Sequence, residues 1–203
     1  NALIADAGTV YGPANLLARL PGENQQQVPL TADLDQVAET LSEPARPPLV
    51  LLASGDPLFY GVARYLCEKL GKDRFEVLPH VSSMQLAFAR VKESWDEAFL
   101  TNLANQALPK VVQRIRTAEK VGVFTTDEVP PPKLAQAMVE QSVDYFTCYV
   151  CENLGSRDER VTRGTPQEIA VQTFAPLNVM VLVRLPNVPD RPMQLQGKRL
   201  FGN

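Results

Sequence analysis

The chain has 203 residues, of which 45% are hydrophobic and 21% are charged, a composition that excludes disorder as the main state. Its net charge of -3 at pH 7 provides no overall basic field for a nucleic acid partner, although a local basic patch stays open. No apolar run approaches the roughly 20 residues of a spanning helix, and the first residues lack a secretory signal pattern, so we expect a cytoplasmic protein without a membrane partner.

Strand and helix signals alternate along the chain and predict an α/β architecture whose first sheet is mostly parallel. Asp33 is a candidate cap for the helix that follows it. An apolar strand is predicted over 49–53, a helix from about 58 to 70, and a strand over 75–78. Beyond Trp95 the alternation starts again, which favours a second lobe.

The elements of the second lobe are predicted from apolar periodicity and from one capping box, Thr165-Pro166-Gln167-Glu168. In chain order they are a helix around 108–115, a strand over 120–126, a helix around 134–139, a strand over 145–153, a helix over 165–174 and a strand over 178–185. We therefore predict a first lobe over 1–92, a second lobe over 93–186, and a linker or tail over 187–203.

Three cysteines, Cys67, Cys148 and Cys151, form an odd set that favours reduced thiols over disulfides. Cys148 and Cys151 have the spacing of a metal or redox pair, but a strand would direct them to opposite faces. A zinc site would need all three cysteines and His80 to converge, and nothing in their spacing favours this. We expect buried structural thiols and no metal site.

The turn Gly55-Asp56-Pro57 directly follows a predicted buried strand. Open α/β sheets bind their ligands at the carboxyl ends of such strands. Gly55 permits a ligand to approach the backbone closely, Asp56 offers acceptor oxygens, and the next helix directs its dipole to the same place. Asp followed by Pro is also ordinary turn chemistry, so a purely structural turn is the alternative.

Four ordered motifs resemble those of a known family. Gly-Asp-Pro-Leu-Phe-Tyr-Gly at 55–61 and Pro-His-Val-Ser-Ser-Met-Gln-Leu-Ala at 79–87 resemble the tetrapyrrole methylases, class III methyltransferases that use S-adenosyl-L-methionine. Cys-Glu-Asn-Leu-Gly at 151–155 and Phe-Ala-Pro-Leu-Asn-Val at 174–179 are similar to the branch that methylates precorrins at ring carbon 5 in cobalamin synthesis. The resemblance implies two α/β lobes, a mixed second sheet, the cofactor in the cleft between the lobes, and a homodimer.

The resemblance also implies roles for residues of the first two motifs. Gly55, Asp56 and Phe59 match the loop that holds the amino acid part of the cofactor. Ser82 and Ser83 match the second cofactor loop. The alternatives are purely structural roles: a helix cap for the two serines and a core position for Phe59.

In the second lobe, Thr126, Leu154 and Leu177 match places that enclose the adenosine part of the cofactor. Glu152 is a candidate acceptor for the proton that the substrate loses after methyl transfer. No catalytic residue is assigned beyond that, because an activated sulfonium methyl mainly requires alignment with the substrate.

Arg157, Arg160 and Arg163 follow the third motif and are candidate substrate contacts. Corrin precursors carry many carboxylates, and arginine binds a carboxylate in a forked geometry. The alternative is a solvated charged face.

The chain departs from the family at its start and at His80, where relatives commonly carry glycine. Residues 1–7 look like the end of the helix that follows the family's first strand and Gly-x-Gly-Pro loop, so we expect that unit to be absent from this sequence. Either the sequence begins late, or the substrate wall is built differently. Residues 197–203 resemble a linker that, in fused relatives, leads to a decarboxylating methylase domain acting at ring carbon 15. Two other functions stay open: a class III methylase acting on ribosomal RNA or diphthamide, and a noncatalytic cofactor-binding scaffold.

Overall fold

The computed structural model describes residues 2–20, 25–30, 33–42 and 49–188. Contacts divide the chain into two units, Asn1–Ser82 and Ser83–Asn203. Apart from residues 187 and 188, the predicted linker lies outside the described residues. In the described parts of the chain, no helix is long and apolar enough to cross a membrane.

A parallel sheet forms the centre of the first unit. Its strands are β1 (Thr9–Gly12), β2 (Gln26–Pro29) and β3 (Leu49–Leu51), in the order β2-β1-β3. Its helices are α1 (Ala2–Asp6), α2 (Ala14–Leu17), α3 (Leu34–Ser42) and α4 (Val62–Leu70). Both strand pairings are parallel, which confirms the expected parallel first sheet.

Asp33 caps α3 as predicted. Its Oδ1 accepts hydrogen bonds from the backbone N–H groups of Asp35 (3.0 Å) and Gln36 (3.2 Å), which the first turn of a helix leaves unpaired. Behind this cap, buried residues of α3 pack against Leu66 of α4. The apolar face of α3 is therefore used as the sequence pattern indicates.

Two predictions for the first unit are wrong. Helix α4 begins at Val62 rather than near residue 58, because the preceding residues form turns. Residues 75–78 form no strand, although Phe75 is extended (φ -122°, ψ 131°) and packs beside α3 and α4. An apolar extended segment becomes a strand only where a neighbouring strand supplies the hydrogen bonds.

A mixed five-stranded sheet forms the centre of the second unit, as expected for the fold class. Its strands are β4 (Phe99–Asn102), β5 (Lys120–Phe124), β6 (Phe146–Glu152), β7 (Arg160–Gly164) and β8 (Asn178–Arg184), in the order β4-β5-β8-β6-β7. Its helices are α5 (Ser83–Val91), α6 (Leu108–Arg116), α7 (Pro131–Glu140) and α8 (Pro166–Ala170). Strands β4 and β5 run parallel, and the other neighbouring strands run antiparallel.

Helices cover both faces of the second sheet. One face carries the main core, in which alternate residues of β6, from Phe146 to Val150, pack with buried residues of α6, α7 and α8. The opposite face is covered by α5. A Cβ atom added to Gly122 of β5 would lie 2.4 Å from the sulfur of Met84 and 2.9 Å from Cε2 of Phe88, so α5 packs directly on the sheet.

The packing of α5 places it in the second unit. The boundary between the units lies at Ser82, whereas the sequence placed it at residue 92, and α5 accounts for the difference. The capping box at the start of α8 is present, but the helix ends at Ala170 instead of Phe174. Past Ala170 the chain turns back towards β8, and the Ala175 N–H donates to the Glu152 carboxylate instead of a helix carbonyl.

Gly122→Ala should lower the free energy of unfolding by about 1–3 kcal/mol, because the new methyl group overlaps with α5. Urea denaturation of the parent, Gly122→Ala, Met84→Ala and the double variant measures this effect. Removing the Met84 side chain makes room for the methyl group, so the double variant should lose less stability than the sum of the single variants. Strict additivity would contradict the packing of α5 on β5.

Candidate functional site

In the first unit, the Gly55-Asp56-Pro57 loop follows β3 and is stabilised by its own hydrogen bonds. Gly55 has a φ of +66°, a conformation that favours glycine. Oδ1 of Asp56 accepts from the N–H groups of Leu58 (2.8 Å) and Phe59 (3.2 Å). Phe59 is half-buried, and its ring packs edge-on against the ring of Tyr60. Both hydrogen bonds to Asp56 use its Oδ1. Oδ1 of Asp56 therefore stabilises the turn, and Oδ2 takes no part in these two bonds and is available to accept a hydrogen bond from a ligand.

The two candidate serines lie at the start of α5. Ser83 is the first residue of the helix, and Ser82, which is buried, occupies the cap position before it. This is the helix start that the sequence indicates. His80 is exposed nearby, with its Nδ1 3.1 Å from the carbonyl oxygen of Val81.

One end of the strands in the second sheet, which we call the sheet edge, carries Thr126, Leu154 and Leu177. Strands β5 and β6 end there and β8 begins there, because β8 runs antiparallel to both. The Asn153 N–H donates to the carbonyl of Leu177 (2.9 Å), which joins the two leucine segments. Thr126 accepts a hydrogen bond from the N–H of Val129 (3.1 Å), and Leu177 is 76% exposed. The edge presents apolar surface beside fixed polar groups.

Glu152 is buried at this edge and forms an ion pair with Arg160, which lies directly opposite on β7. Arg160 donates from Nε to Oε2 (2.6 Å) and from Nη2 to Oε1 (2.8 Å). The Ala175 N–H also donates to Oε1 (2.8 Å). Burial raises the pKa of the Glu152 carboxyl, but the hydrogen bonds and charge of these partners outweigh it and hold the pKa below its usual value. A carboxylate held in this way is a poor proton acceptor, which disfavours the role predicted for Glu152.

The three candidate arginines do not converge. Arg160 and Arg163 are three positions apart on β7, so their side chains lie on opposite faces of the sheet. The Arg163 guanidinium lies 5.9 Å from the ring centre of Tyr149. Arg157 is exposed in the loop between β6 and β7. One ligand carboxylate therefore cannot be held by Arg160 and Arg163 together.

An open pocket of about 730 Å³ lies beside the Glu152–Arg160 pair. The segment before β8 contributes Thr173, Phe174 and Ala175. The last two belong to the fourth motif, but sequence reasoning assigned them no site role, because only the fold brings them to the end of β6. Its lining residues are Glu152, Asn153, Asp158, Glu159, Arg160, Thr173, Phe174 and Ala175.

Cys148 and Cys151 are buried on β6, and Cys67 is buried on α4. Burial raises the pKa of both Cys148 and Cys151 to about 12. Among the described residues, no group of His, Cys, Asp and Glu side chains is placed to hold a metal ion.

The family described as Tetrapyrrole (Corrin/Porphyrin) Methylases matches residues 2–170, which is more than half of the chain. The chain belongs to this family. Its motifs at 55–61, 79–87 and 151–155 all lie inside the match. The family membership that these motifs predicted is therefore confirmed.

Two relatives of this tetrapyrrole methylase act on corrin precursors, according to their names. The precorrin-6Y C(5,15)-methyltransferase (decarboxylating) of Sinorhizobium sp is 29% identical over 185 residues, which cover 89% of this chain and 44% of that protein. The cobalt-precorrin-7 C(5)-methyltransferase of Salmonella typhimurium is 25% identical over 158 residues, which cover 78% of each protein. The chain thus spans less than half the length of the Sinorhizobium relative.

The fold of this tetrapyrrole methylase is also found in a solved structure. Uroporphyrin-III C-methyl transferase from Thermus thermophilus, crystallised in complex with S-adenyl homocysteine, aligns with a TM-score of 0.67 and 19% identity. The alignment covers 90% of this chain and 88% of that one. This similarity shows a common fold.

Glu152→Gln should destabilise the protein most at neutral pH. The pKa of Glu152 is lower in the folded chain than the unfolded value of about 4.3, so its contribution to stability is present above about pH 4.3 and is lost as the pH falls through the folded pKa. We expect a loss of about 1–3 kcal/mol at neutral pH that shrinks in acid. Urea denaturation at about pH 7, 5 and 3 measures the loss.

The exposed residue Glu128 supplies the charge-matched control, Glu128→Gln. An equal loss of stability in Glu152→Gln at all three pH values would contradict the ion pair with Arg160.

Proposed function

We propose that the chain is an S-adenosyl-L-methionine-dependent methyltransferase that methylates a precorrin at ring carbon 5 in cobalamin biosynthesis. This proposal rests on the ring position that the names of the two relatives have in common. The long Sinorhizobium protein is named for carbons 5 and 15, and the chain matches 44% of its length. The Salmonella protein is named for carbon 5 alone, and the chain matches 78% of its length. Carbon 5 is the position that both names share.

The described residues fit the proposed cofactor. S-adenosyl-L-methionine supplies a methyl group that its sulfonium already activates. Gly55, in its left-handed conformation, leaves the loop backbone open to a ligand, and Oδ2 of Asp56 suits the ammonium of the amino acid part. We propose that these two residues and Phe59 bind that part of the cofactor, with Ser82 and Ser83 forming the second cofactor loop.

The sheet edge of the second unit fits the adenosine part. Leu177 and Leu154 offer apolar surface for a purine ring, and Thr126 lies in a fixed turn beside them. We propose that these three residues enclose the adenosine. In this arrangement the chain contributes mainly orientation of the methyl donor and exclusion of water, the two requirements for attack by a ring carbon.

We propose that at least one of Arg157, Arg160 and Arg163 binds a carboxylate of the precorrin. Arg160 already donates hydrogen bonds from Nε and Nη2 to the Glu152 carboxylate. Arg157 and Arg163 are exposed, and each could meet a ligand without breaking that ion pair. They are therefore the stronger candidates.

The proposal extends to assembly and location. A homodimer in the cytoplasm is proposed from the family resemblance. The length of the Sinorhizobium relative, more than twice the matched part, supports a carbon 15-methylating decarboxylase domain as a fused or separate partner.

A methyl-transfer assay tests the proposed function. The protein is incubated with methyl-labelled S-adenosyl-L-methionine and either a metal-free or a cobalt-containing precorrin, and NMR locates the label. Label at carbon 5 supports the proposal, and label at another carbon, or no transfer to either substrate, contradicts it. Binding of S-adenosyl homocysteine without transfer to any tetrapyrrole would favour the scaffold alternative.

Gly55→Val should weaken S-adenosyl homocysteine binding by more than about tenfold, or about 1.4 kcal/mol, because a branched side chain would fill the space next to the ligand. Isothermal calorimetry on the folded protein measures this. Gly71→Val is the matched control, since Gly71 also has a positive φ (+95°) but meets no atom within 4 Å of an added Cβ. Equal affinities for the two variants would remove the Gly55 loop from the cofactor site.

Arg157→Ala or Arg163→Ala should weaken precorrin binding and leave S-adenosyl homocysteine binding unchanged. The expected loss is about 1.5–3 kcal/mol for a shielded contact and much less for an exposed one, and it should shrink as salt rises. Fluorescence titration with the precorrin measures it, with the exposed Arg64→Ala as control. If both variants bind like the control, these two arginines belong to a solvated face.

A further inference from the structure

The loop between β6 and β7, residues 153–159, carries Leu154 and is fixed from both faces of the sheet by carboxylates. Glu152, on the sheet face that carries α6–α8, binds Arg160 and so joins the two strands where the loop leaves and re-enters the sheet. Glu159, on the side of α5, binds the backbone of Gly155 inside the loop. Two loop residues, Asn153 (φ +49°) and Gly155 (φ +79°), have left-handed backbones. Glycine adopts this conformation freely and asparagine more readily than most residues, so the chain turns sharply here.

Glu152 connects the loop to the segment that carries Leu177. Its Oε1 accepts from the Ala175 N–H, two residues before Leu177, and both its oxygens accept from Arg160 at the other end of the loop. The side chain of Glu152 is only 2% exposed, so few water molecules can replace these bonds. One buried carboxylate thereby fixes three chain segments at the sheet edge.

Glu159 connects the loop to α5. Its Oε2 accepts from the N–H of Gly155 (2.7 Å), next to Leu154, and from Nη2 of Arg90 (3.1 Å), while Arg90 Nε donates to Oε1. The hydrogen bonds from Arg90 and from Gly155 hold the pKa of the Glu159 carboxyl below its usual value. Arg90 belongs to the helix that begins at Ser83, so this pair links two segments with proposed cofactor contacts.

Stability of the fold alone is a weak explanation for the Arg90–Glu159 pair. The two side chains are 43% and 21% exposed, and ion pairs of this kind contribute about 0–1 kcal/mol. What the pair does fix is the position of a backbone N–H adjacent to Leu154. Ordering such a segment before the ligand arrives removes part of the entropic cost of binding.

We propose that Glu152 and Glu159 are positioning residues that hold Leu154 and Leu177 in the geometry required by the adenosine part of the cofactor. This inference rests on the proposed function. Neither carboxylate contacts the ligand in this arrangement. Both act by raising the fraction of molecules in which the leucine segments are ready to bind.

Glu159→Ala and Glu152→Gln test this inference, with Glu168→Ala as the matched control. Glu168 also accepts a backbone N–H, that of Thr165 (2.7 Å), but lies at the other end of β7. Hydrogen exchange in the free protein reports directly on the Gly155 and Ala175 amides. Calorimetry with S-adenosyl homocysteine then reports the effect on affinity. Because Glu159 is near the surface, its variant remains informative even if Glu152→Gln folds poorly.

We expect the Gly155 amide in Glu159→Ala to exchange faster and the dissociation constant for S-adenosyl homocysteine to rise about fivefold or more. Glu152→Gln retains an oxygen acceptor for the Ala175 N–H but loses the ion pair with Arg160, so we expect a smaller rise in both the Ala175 exchange rate and the dissociation constant. Glu159→Gln, which retains an acceptor for Gly155, should bind with intermediate affinity. Affinities equal to that of Glu168→Ala, despite faster exchange, would overturn the positioning role and leave the proposed function intact. A parent protein that binds no S-adenosyl homocysteine would overturn both.

Discussion

The antiparallel insertion of β8 between β5 and β6 is the constraint on which the second unit depends. Met180 pairs with Val123 on one side and with Val150 on the other, so a single strand sets the register of both neighbours. Because β8 runs against them, its first residues meet the ends of β5 and β6. Residues of β8 are buried on both faces of the sheet, so a shift of one residue would exchange the two faces and misfit the side chains on each of them. The position of the edge where we propose that adenosine binds is thus fixed by the same strand that forms the core.

The two units fix their site residues by different means. In the Gly55 loop, the carboxylate of Asp56 bonds to N–H groups two and three residues further along the chain. At the edge of the second sheet, the bonds join segments that are distant in sequence, such as Glu152 and Ala175. The first arrangement is a property of a short peptide, and the second is a property of the whole sheet.

This difference explains what the sequence could predict. The cap at Asp33, the capping box at Thr165 and the Gly-Asp-Pro turn are local patterns, and each is present in the structure. The assignment of α5 to the second unit was not predictable in this way, because it depends on Gly122 meeting Met84 across the fold. The ion pair between Arg160 and Glu152 was also not predictable from the sequence. Strand β7 is short and polar, so its sequence resembles a charged loop, and only its pairing with β6 places Arg160 opposite Glu152.

Burial of the two cysteines on β6 has a chemical consequence for the methyl donor that we propose as the cofactor. A thiol with a pKa of about 12 is ionised in about one molecule in 100,000 at neutral pH, and the thiolate is the nucleophilic form of cysteine. Cys151 immediately precedes Glu152 at the proposed adenosine edge, where an ionised sulfur would compete with the intended carbon for an activated methyl group. If S-adenosyl-L-methionine binds there as proposed, a sulfur that is protonated and covered by the sheet is a poor target for its methyl group.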